Sequence, residues 1–272
     1  MTLLSIKQTI ELNGLNAKKS LGQHFLLDGN ITAKIARSAG SLADVTAIEI
    51  GPGPGGLTRS LLETDAKQVI AIEKDARCIA ALAPLKIVYP ERFTLMEEDA
   101  LAVSLPALVP GKRAIVANLP YNIGTELVTR WLTEWYHDVH AFESITVMLQ
   151  KEVAERIAAP VDSKAYGRLA VLSQFICKPT MLFELPPSAF TPPPKVTSTV
   201  IQLKRRVNEE CDLAKLESVT KAAFGNRRKM LRQSLKNVRD DAIAWCESVG
   251  IDPTRRAETL SVQEFVALAN TL

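Results

Sequence analysis

The stretch EIGPGPGGLT, which runs from Glu49 to Thr58, decides the fold of this chain. An apolar run at Val45–Ile50 leads into it, and a helical pattern at Leu57–Thr64 follows it. Glycines at such a junction let the backbone turn tightly and let a ligand approach where a Cβ atom would collide. Their spacing matches the fingerprint that joins a strand to a helix in nucleotide-binding proteins. The stretch predicts the first strand–loop–helix unit of an α/β sheet, but NAD enzymes and methyltransferases share this motif, and a plain structural turn is the third reading.

Outward from this loop, short apolar runs alternate with helical patterns through the first two thirds of the chain. Such alternation is typical of a parallel sheet wrapped by helices, with the ligand site at the carboxyl ends of the strands. The other predicted strands are Gln68–Glu73, Phe93–Met96, Arg113–Ala117, Ile145–Leu149, Thr180–Leu185 and Val196–Leu203, and the other predicted helices are Asp75–Leu85 and Glu126–Glu134. Beyond a boundary near Arg206 only helical patterns follow. We predict a Rossmann-like α/β domain over residues 1–206 and a smaller all-helical domain over residues 207–272.

Acidic residues at two predicted strand ends indicate which nucleotide binds. A carboxylate at Glu73 suits the hydroxyl groups of a ribose, and one at Asp99 suits the amino group of an adenine, although Asp99 also fits an ordinary exposed acid beside two glutamates. Pro52 and Pro54 remove two backbone N–H groups where a pyrophosphate needs donors. One nucleoside without phosphate describes S-adenosylmethionine better than NAD. The sequence therefore predicts the sheet of an S-adenosylmethionine-dependent methyltransferase.

The tetrapeptide NLPY, at Asn118–Tyr121, follows the fourth predicted strand. An adenine amine is a poor nucleophile, and it improves when two acceptors take its two hydrogens. The side-chain oxygen of Asn118 and the carbonyl of Leu119 can be those acceptors, with the carbonyl held by the rigid Pro120. Tyr121 offers a face for base stacking, which contributes ~1–3 kcal/mol. The alternative is a plain turn, but the glycine loop and the spaced acids favour methyl transfer to an adenine amine.

The distribution of charge indicates a polyanionic partner. The whole chain carries a net charge of +3. Residues Lys204 to Arg239 contain eleven basic and four acidic residues, a local charge of +7 that leaves −4 for the rest. A basic region on a mildly acidic core is typical of nucleic-acid binding, and we assign RNA contacts to Arg227, Arg228 and Lys229. The alternative is a solvated helix face.

Location and metal content are predicted from what the sequence lacks. No apolar run reaches the roughly 18 residues of a membrane helix, and the opening residues lack the layout of a secretion leader. The four cysteines are few and far apart, as expected for buried, reduced thiols. His137 and His140 have no third ligand near them in sequence, so no metal is expected. We predict a cytoplasmic monomer without a membrane partner.

Five motifs together resemble the ribosomal RNA adenine dimethyltransferases, in particular the enzymes of the small-subunit (16S) type. The resemblance extends from Lys18 to about Leu235. Its motifs are LGQHFL at Leu21–Leu26, the glycine stretch, NLPY, PPSAFTPPPKV at Pro186–Val196 and FGNRRKML at Phe224–Leu231. The proline-dense stretch is also predicted to be a stiff loop, because proline cannot donate to a strand ladder.

The resemblance implies a role for each matching residue. His24 and Leu26 would close over the methionine end of S-adenosylmethionine, Gly51 would line the backbone turn, and Asn118 would touch both donor and target. Many relatives carry asparagine where this chain has His24. Phe190 would stack on the flipped target base, and its alternative is an ordinary core position.

The implied product is N6,N6-dimethyladenosine at two adjacent adenosines in a hairpin near the 3′ end of 16S ribosomal RNA, within an immature small subunit. The nearest alternative is the large-subunit methyltransferase family that confers macrolide resistance, which shares the donor loop and the tetrapeptide. DNA adenine methyltransferases usually carry two prolines in the tetrapeptide. A non-catalytic assembly factor with a vestigial donor site is the alternative from a different class.

Overall fold

The computed structural model describes residues 3–15, 23–206 and 210–272 of the 272-residue chain. The chain divides into two compact units, Met1–Ala154 with Thr180–Lys204 and Glu155–Pro179 with Arg205–Leu272. Leu21 and Gly22 of the LGQHFL motif, and Val207 at the start of the predicted helical domain, lie outside the described residues.

The first unit is built on a mixed sheet of seven strands, which confirms the predicted α/β class. The strand order is β4-β3-β2-β5-β6-β9-β7. The strands are β2 (Thr46–Ile50), β3 (Gln68–Glu73), β4 (Phe93–Glu97), β5 (Arg113–Asn118), β6 (Ser144–Gln150), β7 (Cys177–Leu185) and β9 (Ser198–Arg205). Strands β2 to β6 pair in parallel, and β9 pairs with β6 in the antiparallel direction.

Continuous apolar runs explain why the central strands were predictable. Every residue of β2 is buried, as are nearly all residues of β3, β5 and β6. A parallel sheet is covered by helices on both faces, so its strands need apolar side chains on both sides. The observed ends of these strands lie within one or two residues of the predicted ends.

Helices surround this sheet. They are α1 (Ile6–Leu12), α2 (Gly29–Ser38), α3 (Gly56–Leu62), α4 (Ala76–Val88), α5 (Leu105–Leu108) and α6 (Gly124–His137), while α7 (Lys151–Ile157) runs across the division between the units. Gly55, with φ +87°, is the N-cap of α3 and lies in the left-handed region that favours glycine. The predicted helices correspond to α3, α4 and α6.

The proline-dense stretch was predicted as a loop, and this prediction is wrong in part. Within it, Phe190–Thr191 forms strand β8, which pairs with β1 (Phe25–Leu26) in a separate two-stranded antiparallel sheet. The register places Leu26 opposite Phe190. Strand pairing across more than 160 positions gives no local sequence signal, so only the folded chain shows it.

The second unit is helical. Its helices are α8 (Arg168–Ile176), α9 (Leu213–Gly225), α10 (Leu231–Ser234), α11 (Ala242–Ser248) and α12 (Val262–Asn270). Residues 155–179 belong to it, which differs from the predicted division at residue 206. The physical reason is that α8 packs against α9 and α12. The half-buried ring of Phe224 contacts the rings of Tyr166 and Phe265, which are both fully buried.

Within the described ranges, no helix combines the length and the apolar character needed to cross a bilayer.

Candidate active site

Nine of the residues singled out from the sequence line a single pocket of the first unit. The pocket is open to solvent and has an empty volume of about 1040 Å³, which includes part of that solvent. It lies at the carboxyl ends of β2, β3 and β5, where a ligand is expected in a sheet of this type. The nine residues are His24, Leu26, Gly51, Glu73, Asp99, Asn118, Leu119, Pro120 and Tyr121.

The glycine loop lines the pocket and leaves little room for a side chain at Gly53, Gly55 and Gly56. Gly51 has φ +64°, and a Cβ atom there would lie at ordinary contact distance, 3.5 Å, from the ring of Pro120. A Cβ atom at Gly56 would lie 2.9 Å from the carbonyl oxygen of Leu26, closer than such contacts allow. The absence of a side chain at Gly56 therefore lets β1 pass directly over the start of α3.

The backbone N–H groups of residues 51–55 are either already hydrogen-bonded or absent because the residue is proline. The N–H groups of Gly51, Gly53 and Gly55 donate to Ile72 O, Glu73 Oε2 and Pro52 O. Two prolines occupy the positions between these glycines and have no N–H group. Residues 51–55 thus offer no N–H group to a pyrophosphate, which argues against a dinucleotide.

Glu73 ends β3 with its carboxylate held by the backbone. Oε1 accepts from the N–H groups of Lys74 and Asp75, both at 2.9 Å, and Oε2 accepts from Gly53 N at 3.4 Å. Burial raises the pKa of Glu73 above its ordinary value, although these three hydrogen bonds act in the opposite direction. The side chain is thus fixed in orientation at the edge of the pocket.

Asp99 follows β4 and is more exposed. Its Oδ1 accepts from Leu101 N at 3.0 Å, and its Oδ2 pairs with Lys74 Nζ at 3.1 Å. The Leu101 N–H group, and then the Lys74 ammonium, hold the pKa of Asp99 below its usual range. This carboxylate therefore stays ionised and can accept a hydrogen from a ligand amine.

Asn118 ends β5, and its side chain is oriented by the segment that precedes β1. Asn118 Nδ2 donates to His24 O at 3.2 Å, which leaves Asn118 Oδ1 as the acceptor for another donor. Within the described part of the chain, the carbonyl of Leu119 accepts no hydrogen bond. The two acceptors required by the adenine-amine hypothesis are therefore available.

Tyr121 is held in place by one contact at its hydroxyl group and another at its ring. Its hydroxyl group hydrogen-bonds to Ser198 Oγ on β9, and its ring centroid lies 5.2 Å from that of His24, with the planes tilted by 35°. His24 Nδ1 is in turn 2.8 Å from Pro192 O. The proline-dense stretch thus positions His24, and His24 positions the aromatic ring.

Glu49, which was given no role from the sequence, also lines the pocket. It is 2% exposed, and its Oε2 atom is fully buried without a hydrogen bond among the described residues. Burial raises the pKa of Glu49 to about 8. An acidic residue inside an otherwise apolar strand was the available signal, because a buried charge needs a partner.

Phe190 is not among the residues that line the pocket, in contrast to its predicted stacking role. It is 3% exposed and belongs to a buried apolar cluster that also contains Leu26, Met148 and Val200. It pairs in register with Leu26 of β1, which belongs to the same buried cluster. The core alternative describes its position in this structure.

The predicted RNA contacts lie in the second unit, in the turn between α9 and α10. Arg227, Arg228 and Lys229 are all exposed. Arg227 Nη2 also donates to Ser163 O at 3.1 Å, which joins the turn to the loop before α8. No group of three or more His, Cys, Asp or Glu side chains in the described ranges is arranged to hold a metal ion.

The sequence pattern of the ribosomal RNA adenine dimethylase family matches residues 14–272. Proteins called ribosomal RNA small subunit methyltransferase A, from Mesorhizobium japonicum and Agrobacterium fabrum, are each 54% identical to this chain, over 98% of it and 97% of their own length. A crystal structure of a dimethyladenosine transferase from Plasmodium falciparum has a TM-score of 0.73 at 26% identity, over 90% of this chain and 96% of that one. The 23S rRNA methyltransferase ErmE has a TM-score of 0.69 at 25% identity, over 91% of this chain and 99% of its own.

Proposed function

This chain belongs to the ribosomal RNA adenine dimethylase family, and from that membership we propose the residues and the RNA site through which it works. It is an S-adenosylmethionine-dependent methyltransferase that dimethylates adenine in small-subunit ribosomal RNA. The observation that carries its mechanism is the meeting of Glu73, Asp99 and Asn118–Tyr121 around one pocket.

The pocket suits a single nucleoside joined to an amino acid. Glu73 presents a backbone-anchored carboxylate to the two ribose hydroxyls, and the ionised Asp99 accepts from the amino group of the donor's adenine. His24 and Leu26 cover the methionine end from the side of β1, and Gly51 leaves space for it. When bound, S-adenosylmethionine supplies a methyl group on a positively charged sulfur.

Asn118 and Leu119 prepare the target amine. We assign its two hydrogens to Asn118 Oδ1 and to the Leu119 carbonyl, which concentrates the nitrogen lone pair away from the ring. Tyr121 stacks on the target base, and its Ser198 anchor keeps the ring in place. No strong base is needed, because positioning supplies much of the rate enhancement.

We propose that the target is a pair of adjacent adenosines in a hairpin near the 3′ end of 16S ribosomal RNA, in an immature small subunit. This RNA is a polyanion, and the exposed Arg227, Arg228 and Lys229 offer it cations. We place the protein in the cytoplasm, where its substrate is assembled, and as a monomer.

Methylation of small ribosomal subunits that lack dimethyladenosine tests the function. We expect the wild-type protein and S-adenosylmethionine to produce N6,N6-dimethyladenosine in the 3′ fragment of 16S RNA, detected by mass spectrometry. Asn118→Ala should lower the rate about a hundredfold or more, because it removes an interaction made with the reacting amine. Asn30→Ala, at an exposed asparagine of the first unit that does not line the pocket, is the matched control and should react normally.

Three outcomes would overturn these assignments. Near-normal turnover by Asn118→Ala would contradict the role of the tetrapeptide. Methylation of 23S RNA alone would favour the large-subunit activity, and binding of the donor without methylation of either RNA would favour an assembly factor.

A further inference from the structure

We propose that Arg130 is a positioning residue for Asp99. It holds the backbone turn that carries this carboxylate, and it thereby sets how strictly the protein selects for the amino group of the donor's adenine. The inference rests on the proposed function for the identity of the ligand. It goes beyond that function because Arg130 lies on α6 and is not among the residues that line the pocket.

The chain turns sharply after β4, and Asp99 is the first residue of this turn. Ala102 N donates to Asp99 O at 2.8 Å, and Leu101 N donates to Asp99 Oδ1 at 3.0 Å. An aspartate that bonds the backbone two residues further along closes a turn with its own side chain. The direction in which the Asp99 carboxylate points is therefore tied to the conformation of the backbone at Leu101.

Arg130 holds the same turn from α6. Its Nη1 donates to Leu101 O, so the peptide group between Leu101 and Ala102 is bonded at both ends, with its N–H group on Asp99 O. Lys74 contacts the side chain of Asp99 instead, and the two side chains of that ion pair are 49% and 42% exposed. An exposed ion pair contributes little to holding a geometry. The contact of Arg130 with the backbone is therefore the stronger restraint on the turn.

Arg130 is itself fixed on a rigid element. Its neighbour Trp131 is buried in the core, and Glu134, one helical turn further along α6, pairs with Arg130 Nε at 3.4 Å. The Ser104 hydroxyl hydrogen-bonds Glu134 as well, so α6 also contacts the segment that follows the turn. A guanidinium can serve a carbonyl and a carboxylate together, because it presents five N–H groups in a fixed plane.

The consequence of losing Arg130 should fall on one part of the ligand. A hydrogen bond weakens steeply when donor and acceptor are misaligned, so a freer turn would weaken the bond between Asp99 and the adenine amino group. The carboxylate of Glu73 is held by other backbone groups, at the end of β3, and does not depend on this turn. The affinity that depends on the amino group should therefore decrease, while the rest of the affinity is kept.

Titration calorimetry compares S-adenosylhomocysteine with its purine analogue, in which a hydrogen atom replaces the 6-amino group of the base. The wild-type protein should prefer S-adenosylhomocysteine by about tenfold or more, because the analogue leaves a carboxylate without its donor. Asp99→Ala should remove this preference. Arg130→Met should reduce it to about threefold or less, with the affinity for the analogue changed by less than about twofold.

Two further variants isolate the effect. Arg37→Met removes an exposed arginine of α2 that does not line the pocket, and it should keep the wild-type preference. Arg130→Met added to Asp99→Ala should leave the affinity for S-adenosylhomocysteine within about twofold of that of Asp99→Ala, because a residue that acts through Asp99 then has nothing to position. Should Arg130→Met not fold, Arg130→Gln gives the same comparison, since it keeps a donor near the position of Nε and lacks Nη1.

The outcomes separate this inference from the proposed function. An unchanged preference in Arg130→Met, or an equal loss of affinity for both ligands, overturns the role of Arg130 and leaves Asp99 and the donor site standing. A wild-type protein that binds both ligands equally well contradicts the assignment of Asp99 to the adenine amino group. Failure of S-adenosylhomocysteine to bind contradicts the donor site itself.

Discussion

At the scale of single residues, the pocket depends on three carboxylates in different surroundings. Asp99 is partly exposed and paired with Lys74, and Glu73 is buried but held by three backbone N–H groups. Glu49 is buried with an oxygen that has no partner among the described residues. These differences give Asp99 a lowered pKa and the other two raised ones. The three carboxylates therefore differ in how readily they ionise.

Glu73→Gln should weaken binding of S-adenosylhomocysteine by about tenfold or more, because hydrogen bonds to a charged group contribute ~1.5–3 kcal/mol. Titration calorimetry measures the change, and Glu91→Gln, an exposed acid before β4, is the matched control. NAD should be titrated in parallel. Unchanged affinity in the variant would mean that the donor binds elsewhere.

Glu49 also predicts a pH dependence of folding without any ligand. Its pKa is raised from 4.5 to about 8 in the folded protein, so between these values the folded state holds more protons than the unfolded chain. The contribution to stability is complete below pH 4.5 and is lost as pH rises through 8. Glu49→Gln should flatten the decline of the free energy of unfolding between pH 6 and 8.5, by on the order of 1–3 kcal/mol.

Urea unfolding at several pH values measures this difference. Glu91→Gln should follow the wild-type curve, because that side chain is exposed. Parallel curves for the wild-type protein and Glu49→Gln would show that Glu49 is ionised in the folded state.

At the scale of elements, the start of α3 and strand β1 are fitted to each other. The left-handed Gly55 is the N-cap of the helix, and Gly56, which has no side chain, admits the carbonyl of Leu26. Strand β1 is held on its other side by β8 from the proline-dense stretch. A short strand of two residues is thereby positioned over the pocket by elements from two distant parts of the chain.

Gly56→Ala should therefore destabilise the protein by ~1–3 kcal/mol, the usual effect of overpacking a close contact. It should also weaken binding of S-adenosylhomocysteine, since β1 must move away from α3. Gly29→Ala is a matched control, because that glycine begins α2 and a Cβ atom there meets nothing within 4 Å. Chemical unfolding compares the two variants, and equal stability would contradict the fitted contact.

At the scale of the whole molecule, the pocket and the predicted RNA contacts belong to different units. The nine pocket residues predicted from the sequence belong to the first unit, whereas the exposed turn with Arg227, Arg228 and Lys229 belongs to the second. Donor binding and RNA binding should therefore respond to different substitutions.

Reversal of Arg227, Arg228 and Lys229 to glutamate should weaken RNA binding and leave the affinity for S-adenosylhomocysteine unchanged. Each phosphate contact contributes a slope of about −0.7 to −0.9 in log affinity against log salt, so three lost contacts should remove roughly two units of slope. Titrations with the RNA at several salt concentrations measure this slope for the wild-type protein and the triple variant.

The matched control reverses three exposed lysines of the first unit, Lys67, Lys86 and Lys112, which changes the net charge by the same amount. An equal loss in both triple variants would indicate a general charge effect. If the salt dependence of the variant with Arg227, Arg228 and Lys229 reversed is unchanged, this turn makes no phosphate contacts.

The sequence by itself determined the fold class and most of the pocket. Apolar strands such as β2 and β5 carry their own signal, because a parallel sheet must be apolar on both faces. Parallel strands end at the same edge of the sheet, so Glu73 and Asn118 could be brought together from their positions in sequence alone.

Only the tertiary structure decided the features that depend on distant contacts. The pairing of β8 with β1 puts Phe190 in the core, and the packing of α8 against α9 puts residues 155–179 in the second unit. Only the folded structure shows that Glu49 Oε2 is buried without a hydrogen bond among the described residues. Local sequence patterns encode secondary structure. The burial of a side chain and its hydrogen-bond partners are decided by contacts between distant parts of the folded chain.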